Sequence, residues 1–358
     1  MSQQREDNPV ISSDSQGSQL PPPPPPPPPP PEFSNQSLLP AKRLYQVLAK
    51  GQLQQRSDRE ELKKLLQNRS NSFGKELNWL LINAPIPSMI QDGPQCGLVA
   101  LWMAGHLLNA PQPVSLEDIV NCAIEKNYTA QGEMFSGDNM VKLAKEVFAC
   151  HGEVLSGGLL GINKTRILLH LKAGYPVLIP YPCKLLTDAK PAQTGAAAHG
   201  CLARCRLELL NLRKGSYDED FNHEPCLRKG HRAHWAVVSG VLLGLRCELL
   251  EDVYEKDPDI PGLYYLKGGA SRASCCEDCV VESHLLAKQG KSLKYQLWEY
   301  ELVHRSNVQL TELSPKRDND GTSYIIPEGG VKLGLCGVVI LLQPIFSETK
   351  LTASITNK

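Results

Sequence analysis

The cysteine at position 96 has the neighbours that nucleophilic chemistry at a carbonyl group requires. A Gly93-Pro94 pair interrupts regular structure before it, and the apolar residues after it recur at helical spacing, so the pattern places the thiol in the first turn of a helix. The N–H groups and the dipole at a helix start favour the nucleophilic thiolate. Gln91, or Gln95 as the alternative, can turn its side-chain amide to the same point and stabilise an oxyanion together with the Cys96 N–H.

Chemistry of this kind needs a base, and His234 is the histidine best placed to be one. A nearly continuous aliphatic run follows it and predicts a buried strand with the imidazole at its entry. Such a base can face a thiol on a helix across a cleft. His231 lies outside the aliphatic run and is predicted to be a solvated loop residue. By itself, Cys96 could be a buried cysteine at the start of a structural helix, and His234 could be a histidine that forms a structural hydrogen bond. It is the combination of the two residues that indicates catalysis.

The segments around Cys96 and His234 resemble the papain-like peptidases of the bacteriocin-processing type. Further segments are similar to those of the vertebrate actin maturation proteases, namely an oligoproline leader and residues 92–104, 217–226 and 288–298. The cysteine segment alone is shared with many thiol enzymes, and it is the order of all the segments that makes the resemblance specific. It implies a cysteine aminopeptidase that removes the acetylated first residue, Met or Cys, from the N-terminus of actin.

In the mechanism that these residues predict, Cys96 is the nucleophile, His234 the base and Gln91 the oxyanion donor, and no metal or organic cofactor is needed. A blocked N-terminus has no free amine that a carboxylate could bind. A small closed pocket must therefore recognise the first residue by its size and shape. The residues expected to line this pocket are Leu98, Trp102 and the loop 131–137.

The residue that orients the histidine stays open at this point. Relatives in the wider fold carry an Asp or Asn on the strand after the histidine strand, and here that region is long and irregular. The candidates are Asp252, Asp257, Asp259 and the segment 289–291.

The predicted fold class is α+β: a papain-like, two-lobed cysteine peptidase with a helical lobe that carries Cys96 and an antiparallel sheet lobe that carries His234. The predicted domain organisation is a disordered, proline-rich segment over residues 1–36, the peptidase domain over 37–346 and a C-terminal tail over 347–358. Residues 182–216 are predicted to be an insertion into the domain, because the family pattern lacks them and no helix or strand signature fills them.

Apolar spacing and capping residues predict the remaining elements. Helices are expected over residues 40–53, 58–67, 115–126, 137–150 and 163–172, with Ser115 and Asn163 as N-caps of the third and fifth. Strands are expected over residues 175–180, 234–243, 293–298 and 335–342.

Composition excludes several classes of protein. The formal net charge of zero and a pI near 7.1 argue against a nucleic-acid-binding protein. A hydrophobic content of 41% and a charged content of 21% are those of a globular protein. The polar start and the lack of a long apolar run argue against a signal peptide and a membrane span. We therefore expect a cytoplasmic protein that binds neither nucleic acid nor membrane.

The twelve cysteines are expected to be reduced in that compartment. Two groups resemble halves of a zinc site: Cys201 with Cys205, and Cys275 with Cys276 and Cys279. Neither has a partner pair at matching spacing, so we expect free thiols and no metal centre.

The eleven consecutive prolines from Pro21 to Pro31 adopt a polyproline II helix. Such a run is a stiff spacer or a ligand for aromatic-lined grooves. The lack of flanking Arg or Lys, together with the resemblance to actin-processing enzymes, favours profilin as the partner. Two other functions stay open: a Cys-His acyltransferase or transglutaminase-like enzyme, and a non-catalytic, profilin-binding scaffold that keeps Cys96 for packing.

Overall fold

The computed structural model describes residues 58–69, 73–183, 224–249, 252–267 and 277–345. Within these ranges the α-helices are α1 (Asp58–Arg69), α2 (Cys96–Gly105), α3 (Leu116–Glu125), α4 (Gly137–Phe148), α5 (Ile162–Lys172), α6 (Tyr300–Asn307), α7 (Pro315–Asp318) and α8 (Gly330–Leu335). The strands are β1 (Asn78–Asn83), β2 (Cys150–Leu155), β3 (Val177–Pro182), β4 (Ala233–Leu245), β5 (Tyr254–Lys256), β6 (Leu263–Leu266), β7 (Val280–Gln289), β8 (Gln296–Glu299) and β9 (Val339–Pro344).

These strands form one sheet that is organised around the long strand β4. One edge of β4 pairs with β3 from Ala233 to Val238 and with β1 from Gly240 to Leu245. The other edge pairs with β7, which in turn pairs with β8. Beyond β3 the sheet continues through β9 to β2, and beyond β1 it continues through β6 to β5. The start of β4, where the predicted base stands, is therefore far from β5 and β6.

Alternate residues of β4 face two different hydrophobic layers. Trp235 and Val237 belong to the layer that contains α2, α3 and α4. Ala236 and Val238 belong to the layer on the other face, which contains α5 and α6. Because both faces are covered, the strand has no polar side, which is why its sequence is a nearly continuous apolar run.

The predicted α+β class is confirmed, with the cysteine at the start of a helix and the histidine on a strand of the sheet. The predicted helices at 58–67, 115–126, 137–150 and 163–172 are present as α1, α3, α4 and α5, and the predicted strands overlap β3, β4, β8 and β9. The predicted helix over 40–53, the terminal segments and nearly all of the predicted insertion lie outside the described residues.

The two predicted N-caps have different outcomes. Ser115 caps α3: its hydroxyl accepts the Asp118 N–H at 3.1 Å, and the Asp118 carboxylate accepts the Ser115 N–H at 2.9 Å. Such a capping box is worth about 1 kcal/mol. The prediction for Asn163 is wrong, because its side chain instead donates to the carbonyls of Ser156 and Gly158 at 2.8 Å each.

The sheet contains more than the sequence predicted. Strands β1, β2, β5, β6 and β7 and helices α6, α7 and α8 had no clear signature, and β1 pairs with β6 in parallel, so the sheet is not wholly antiparallel. The ten residues of β7 include His284, Lys288 and Gln289, and their apolar spacing is broken. Pairing with β4 and β8, rather than local pattern, fixes this strand. No helix of the described ranges is both long and apolar enough to cross a bilayer.

The His284 ring on β7 gives the fold a specific dependence on pH. It packs against Phe73 and Trp79, with 5.8 Å between ring centroids in each case. Burial lowers the pKa of His284 from 6.5 to about 4, and the charge of Arg69 acts in the same direction. Between these two values the unfolded chain binds a proton that the folded chain does not. The free energy of unfolding should therefore fall as the pH falls through this window, by at most about 3 kcal/mol from this residue.

Urea unfolding at about pH 6.5 and about pH 4.5 tests this expectation. His284→Gln should remove most of that residue's share of the stability difference between the two pH values. The exposed His151 provides the matched control, and His151→Gln should keep the difference of the unmodified protein. An unchanged difference in His284→Gln would contradict the assignment.

Candidate active site

Cys96 is the first residue of α2 and is only 7% exposed. The side chain of Gln95, the N-cap residue, forms no capping hydrogen bond with the first N–H groups of the helix. The backbone N–H groups of Trp235 and Gly97 donate to the Cys96 thiol. The thiol therefore lies where α2 begins and against the start of β4.

His234 is the second residue of β4 and is half-buried. In the β3–β4 ladder it pairs with Tyr181, whose ring centroid lies 6.4 Å from that of the imidazole. Since the next residue, Trp235, contacts the Cys96 thiol through its N–H, the predicted nucleophile lies against the residue that follows the predicted base in β4. His231 lies elsewhere, with its ring 3.6 Å from the carboxylate of Glu312.

Burial raises the pKa of the Cys96 thiol, although the Trp235 N–H and the charge of Arg317 lower it in part. Burial therefore opposes the preference for thiolate that a helix start confers, and the free protein holds Cys96 as the thiol. Attack by this thiol requires a base to take its proton. Burial also raises the pKa of the nearby Cys183 to about 12, so that thiol is not a competing nucleophile.

Gln91 is buried in the loop before α2 and is held through both backbone and side chain. Its N–H donates to the Gly290 carbonyl at 2.7 Å, and its Nε2 donates to the Gly93 carbonyl at 2.8 Å. A Cβ on residue 290 would lie 2.8 Å from Oε1 and 2.9 Å from Cβ of Gln91, so only glycine permits this approach. The amide carries a second N–H, which is the donor that an oxyanion beside Cys96 would use.

Gln95, the alternative oxyanion donor, turns toward a different part of the chain. A Cβ on Gly132 would lie 2.5 Å from its Cγ, so the side chain packs on the backbone of the loop after α3. The Oε1 atoms of Gln91 and Gln95 are both buried and accept no hydrogen bond from the described residues, so only the direction of the side chain distinguishes the two. This placement favours Gln91 over Gln95.

The three aspartate candidates for the orienting residue do not lie beside His234. Asp252 and Asp259 flank β5, and Asp257 directly follows it, at the edge of the sheet that lies beyond β1. The Asp257 carboxylate is bound locally, by the N–H groups of Asp259 at 2.8 Å and Ile260 at 3.0 Å and by the Tyr265 hydroxyl at 2.9 Å. These carboxylates hold a turn rather than a catalytic base.

The segment 289–291, the other candidate, does reach the site. Gln289 pairs with Ala236 at the end of the β4–β7 ladder, and directly opposed residues share a face of the sheet, so Gln289 lies on the same face as His234. The side chain is fully buried, its Oε1 accepts the Lys291 N–H at 2.7 Å, and its Nε2 has no hydrogen-bond partner among the described residues. Of the candidates, Gln289 has the position expected of an orienting residue.

A small pocket of about 240 Å³, which includes its open mouth, lies beside Cys96. Residues 133–135 and the start of β4 form most of its wall, so the prediction for the loop 131–137 is confirmed. The prediction for Leu98 and Trp102 is wrong, because Leu98 is fully buried in the core and the Trp102 indole donates to the Val114 carbonyl at 3.2 Å. Within the described ranges, no three His, Cys, Asp or Glu side chains are grouped so that they could hold a metal ion.

Glu133, which sequence reasoning missed, forms part of the pocket wall and is 1% exposed. Its carboxylate accepts four hydrogen bonds, from the Thr129 hydroxyl at 2.9 Å and the N–H groups of Ala130 at 3.0 Å, Gln131 at 2.8 Å and Ile325 at 3.0 Å. Burial works to raise the pKa of this carboxyl, but the backbone hydrogen bonds hold it below its ordinary value. The group is a charged and fully engaged carboxylate.

Arg317 on α7 is a second residue that the sequence did not indicate. It lines the same pocket, and its charge reaches the Cys96 thiol. It lies 221 positions beyond Cys96 in a short polar helix without motif or periodicity, so no local signal could have found it.

The raised pKa of the Cys96 thiol predicts its alkylation behaviour. We expect iodoacetamide to modify Cys96 at a rate that rises with pH through a midpoint above about 8.5, the ordinary value for cysteine, because only the thiolate reacts. The rate is followed by mass spectrometry of the peptide that contains Cys96, with N-acetylcysteine as the reference thiol. A midpoint at or below that of the reference would overturn the assignment.

Comparison with known proteins identifies the family of the chain. Residues 86–205 and 215–242 match the family model described as actin maturation protease-like, C-terminal domain. Proteins called actin maturation protease are 52% identical in Xenopus tropicalis, over 80% of each chain, and 48% identical in Danio rerio, over 86% of this chain and 89% of the relative. The one from Homo sapiens is 46% identical over 80% of this chain and 72% of its own.

A crystal structure described as that of a C39-like peptidase from Bacillus anthracis covers 73% of this chain and 96% of its own at 11% identity, with a TM-score of 0.33, which is too low to bear on the fold. The sequence relatives are sufficient by themselves, since the chain covers more than two thirds of each of them at well over 30% identity. The chain is a cysteine-type peptidase, and it belongs to the actin maturation protease family.

Proposed function

We propose that this peptidase removes the N-acetylated first residue, Met or Cys, from the N-terminus of actin. The observation that carries the proposal is the position of the Cys96 thiol at the start of β4, where the N–H of Trp235, the residue after His234, donates to it. The substrate follows from the relatives, which are named for actin maturation.

In the first step His234 takes the Cys96 proton while sulfur attacks the carbonyl carbon of the acetylated first residue. The second N–H of the Gln91 amide and the Cys96 N–H donate to the oxyanion. His234 then returns the proton to the departing amine, which leaves with the shortened chain and an acetyl-aminoacyl thioester on Cys96. Water, deprotonated by His234, hydrolyses the thioester to the free acetylated amino acid and restores the thiol.

The pocket supports a blocked rather than a free N-terminus. Aminopeptidases that hold a free α-amine need a carboxylate for it, and Glu133 is the carboxylate in the pocket wall. Its oxygens already accept four hydrogen bonds from the surrounding loop and from Ile325. An ammonium group would have to displace these hydrogen bonds to reach the carboxylate. An acetylated amine carries no charge and needs no carboxylate partner.

Cys96→Ala should abolish processing without loss of the fold, because it removes the nucleophile from a Cys-His pair. Gln91→Ala should lower kcat by about a hundred- to a thousandfold, the cost of one oxyanion donor. The assay is mass spectrometry of an acetylated peptide with the actin N-terminal sequence, incubated with each purified variant.

Cys122→Ala, which removes a half-exposed thiol on α3, is the matched control and should keep full activity. If Cys96→Ala turns over the peptide as fast as the unmodified protein does, the proposed peptidase mechanism is wrong. That result would favour the alternative of a non-catalytic scaffold protein. Consumption of the peptide only when an acceptor amine is present would indicate an acyltransferase of the transglutaminase type.

The oligoproline from Pro21 to Pro31 lies outside the described residues, and we propose that it recruits profilin-bound actin. Recruitment raises the local concentration of a macromolecular substrate and has no effect on a short peptide. Replacing the prolines with a Gly-Ser segment of equal length should slow processing of the profilin–actin complex while leaving free actin and peptide unchanged. If processing of all three substrates slows equally, the prolines contribute to the folded domain itself. If processing of none of them slows, the prolines act only as a spacer.

We also propose that the reaction takes place in the cytoplasm. The eight described cysteines are all free, and reducing conditions keep a catalytic thiol active.

A further inference from the structure

The pocket beside Cys96 contains a cation whose surroundings are those of a binding group. The Arg317 guanidinium lies 5.2 Å from the ring centroid of Phe135 and 5.3 Å from that of Tyr324. These two rings are 6.0 Å apart and nearly perpendicular, at 88°. The two rings attract the guanidinium and shield part of it from water, which strengthens its interaction with any anion that reaches it.

No carboxylate of the described residues forms an ion pair with Arg317. Asp320 is near enough for its pKa to be lowered, first by its hydrogen bond from Tyr324 and in small part by Arg317. Each of its oxygens accepts one hydrogen bond, because the Tyr324 hydroxyl donates to Oδ2 at 2.5 Å and the Thr322 N–H to Oδ1 at 2.9 Å, and neither oxygen forms an ion pair with Arg317.

Glu133 is the other carboxylate of this pocket, and it too is satisfied without Arg317. Three backbone N–H groups and one hydroxyl already donate to it, and one of the three, from Ile325, fixes the segment next to Tyr324. Glu133 therefore holds the wall of the pocket in place and leaves the donors of Arg317 available to a ligand.

We propose that Arg317 is a specificity-determining residue that binds a carboxylate side chain of the substrate, one or two residues after the scissile bond. The inference rests on the proposed function, in which the first residue, Met or Cys, is uncharged, so a carboxylate that binds Arg317 belongs to a residue after it. Arg317 lines the pocket that contains Cys96, and its charge acts on that thiol, so a carboxylate bound there lies close to the reacting carbonyl. The guanidinium fork can bind both carboxylate oxygens.

The test compares acetyl-Met peptides that carry Asp at positions 2 and 3 with otherwise identical peptides that carry Asn. The measured quantity is the ratio of kcat/KM for the two peptides, in which any effect of Arg317 on the thiol itself cancels. We expect the unmodified protein to prefer the Asp peptide by about ten- to a hundredfold, the range for a charge-assisted, two-point contact. Arg317→Gln should bring the ratio close to one, and Arg317→Lys should give an intermediate ratio.

Lys316→Gln is the matched control, because it removes an exposed positive charge from the adjacent residue. Lys316→Gln should leave the ratio of kcat/KM unchanged. If it lowers the preference for the Asp peptide as much as Arg317→Gln does, the preference comes from the overall positive charge near the pocket and not from a contact with Arg317. A ratio near one in the unmodified protein, or an unchanged ratio in Arg317→Gln, would overturn the proposal.

Binding separates this proposal from the proposed function. Fluorescence anisotropy of labelled peptides on the inactive Cys96→Ala protein should show weaker binding of the Asp peptide when Arg317→Gln is added, with the Asn peptide unaffected. If the unmodified protein cleaves neither peptide but this difference persists, the proposed reaction fails while the carboxylate site stands. If the peptides are cleaved but Arg317→Gln changes neither their binding nor the ratio of kcat/KM, the proposed carboxylate site is wrong and the proposed reaction is supported.

Discussion

The site depends on the backbone at the start of β4, above all on Trp235. Its N–H donates to the Cys96 thiol, and its indole donates to the Met134 carbonyl at 2.8 Å. One residue thereby fixes the strand that carries His234, the helix that carries the thiol and the loop that forms the pocket wall. The indole is 2% exposed and packs into the layer shared with α2, so its burial is coupled to the geometry of the site.

A second connection joins the oxyanion loop to the same sheet. The Gln91 N–H donates to the Gly290 carbonyl immediately after β7, and residue 290 has no room for a side chain. The preceding residue, Gln289, ends the ladder with β4 opposite Ala236. Because these contacts involve backbone groups of a buried sheet, the proposed donor and the proposed base are held by the same sheet, as preorganised stabilisation of an oxyanion would require.

The parts of the site that the sequence predicted are those with a local signal. A thiol at a helix start and a histidine before an aliphatic run are patterns of a few consecutive residues, and Cys96 does begin α2 while His234 does lie near the start of β4. Glu133 and Arg317 could not be found in this way, because their roles come from contacts between loops far apart in the chain. The raised pKa of the Cys96 thiol was missed for a related reason: burial depends on the whole fold, whereas the helix dipole can be inferred from the sequence.

The charges of the pocket also bear on the proposed action on blocked N-termini. Glu133 and Arg317 line one pocket but are held independently, the carboxylate by N–H and O–H donors and the guanidinium by aromatic rings. An unblocked α-ammonium would meet a carboxylate with no free acceptor capacity and a cation that repels it. Acetylation removes the terminal charge and so removes both penalties. Under the proposed function, the first residue would be recognised in this pocket by its shape, and charge would select the residues that follow.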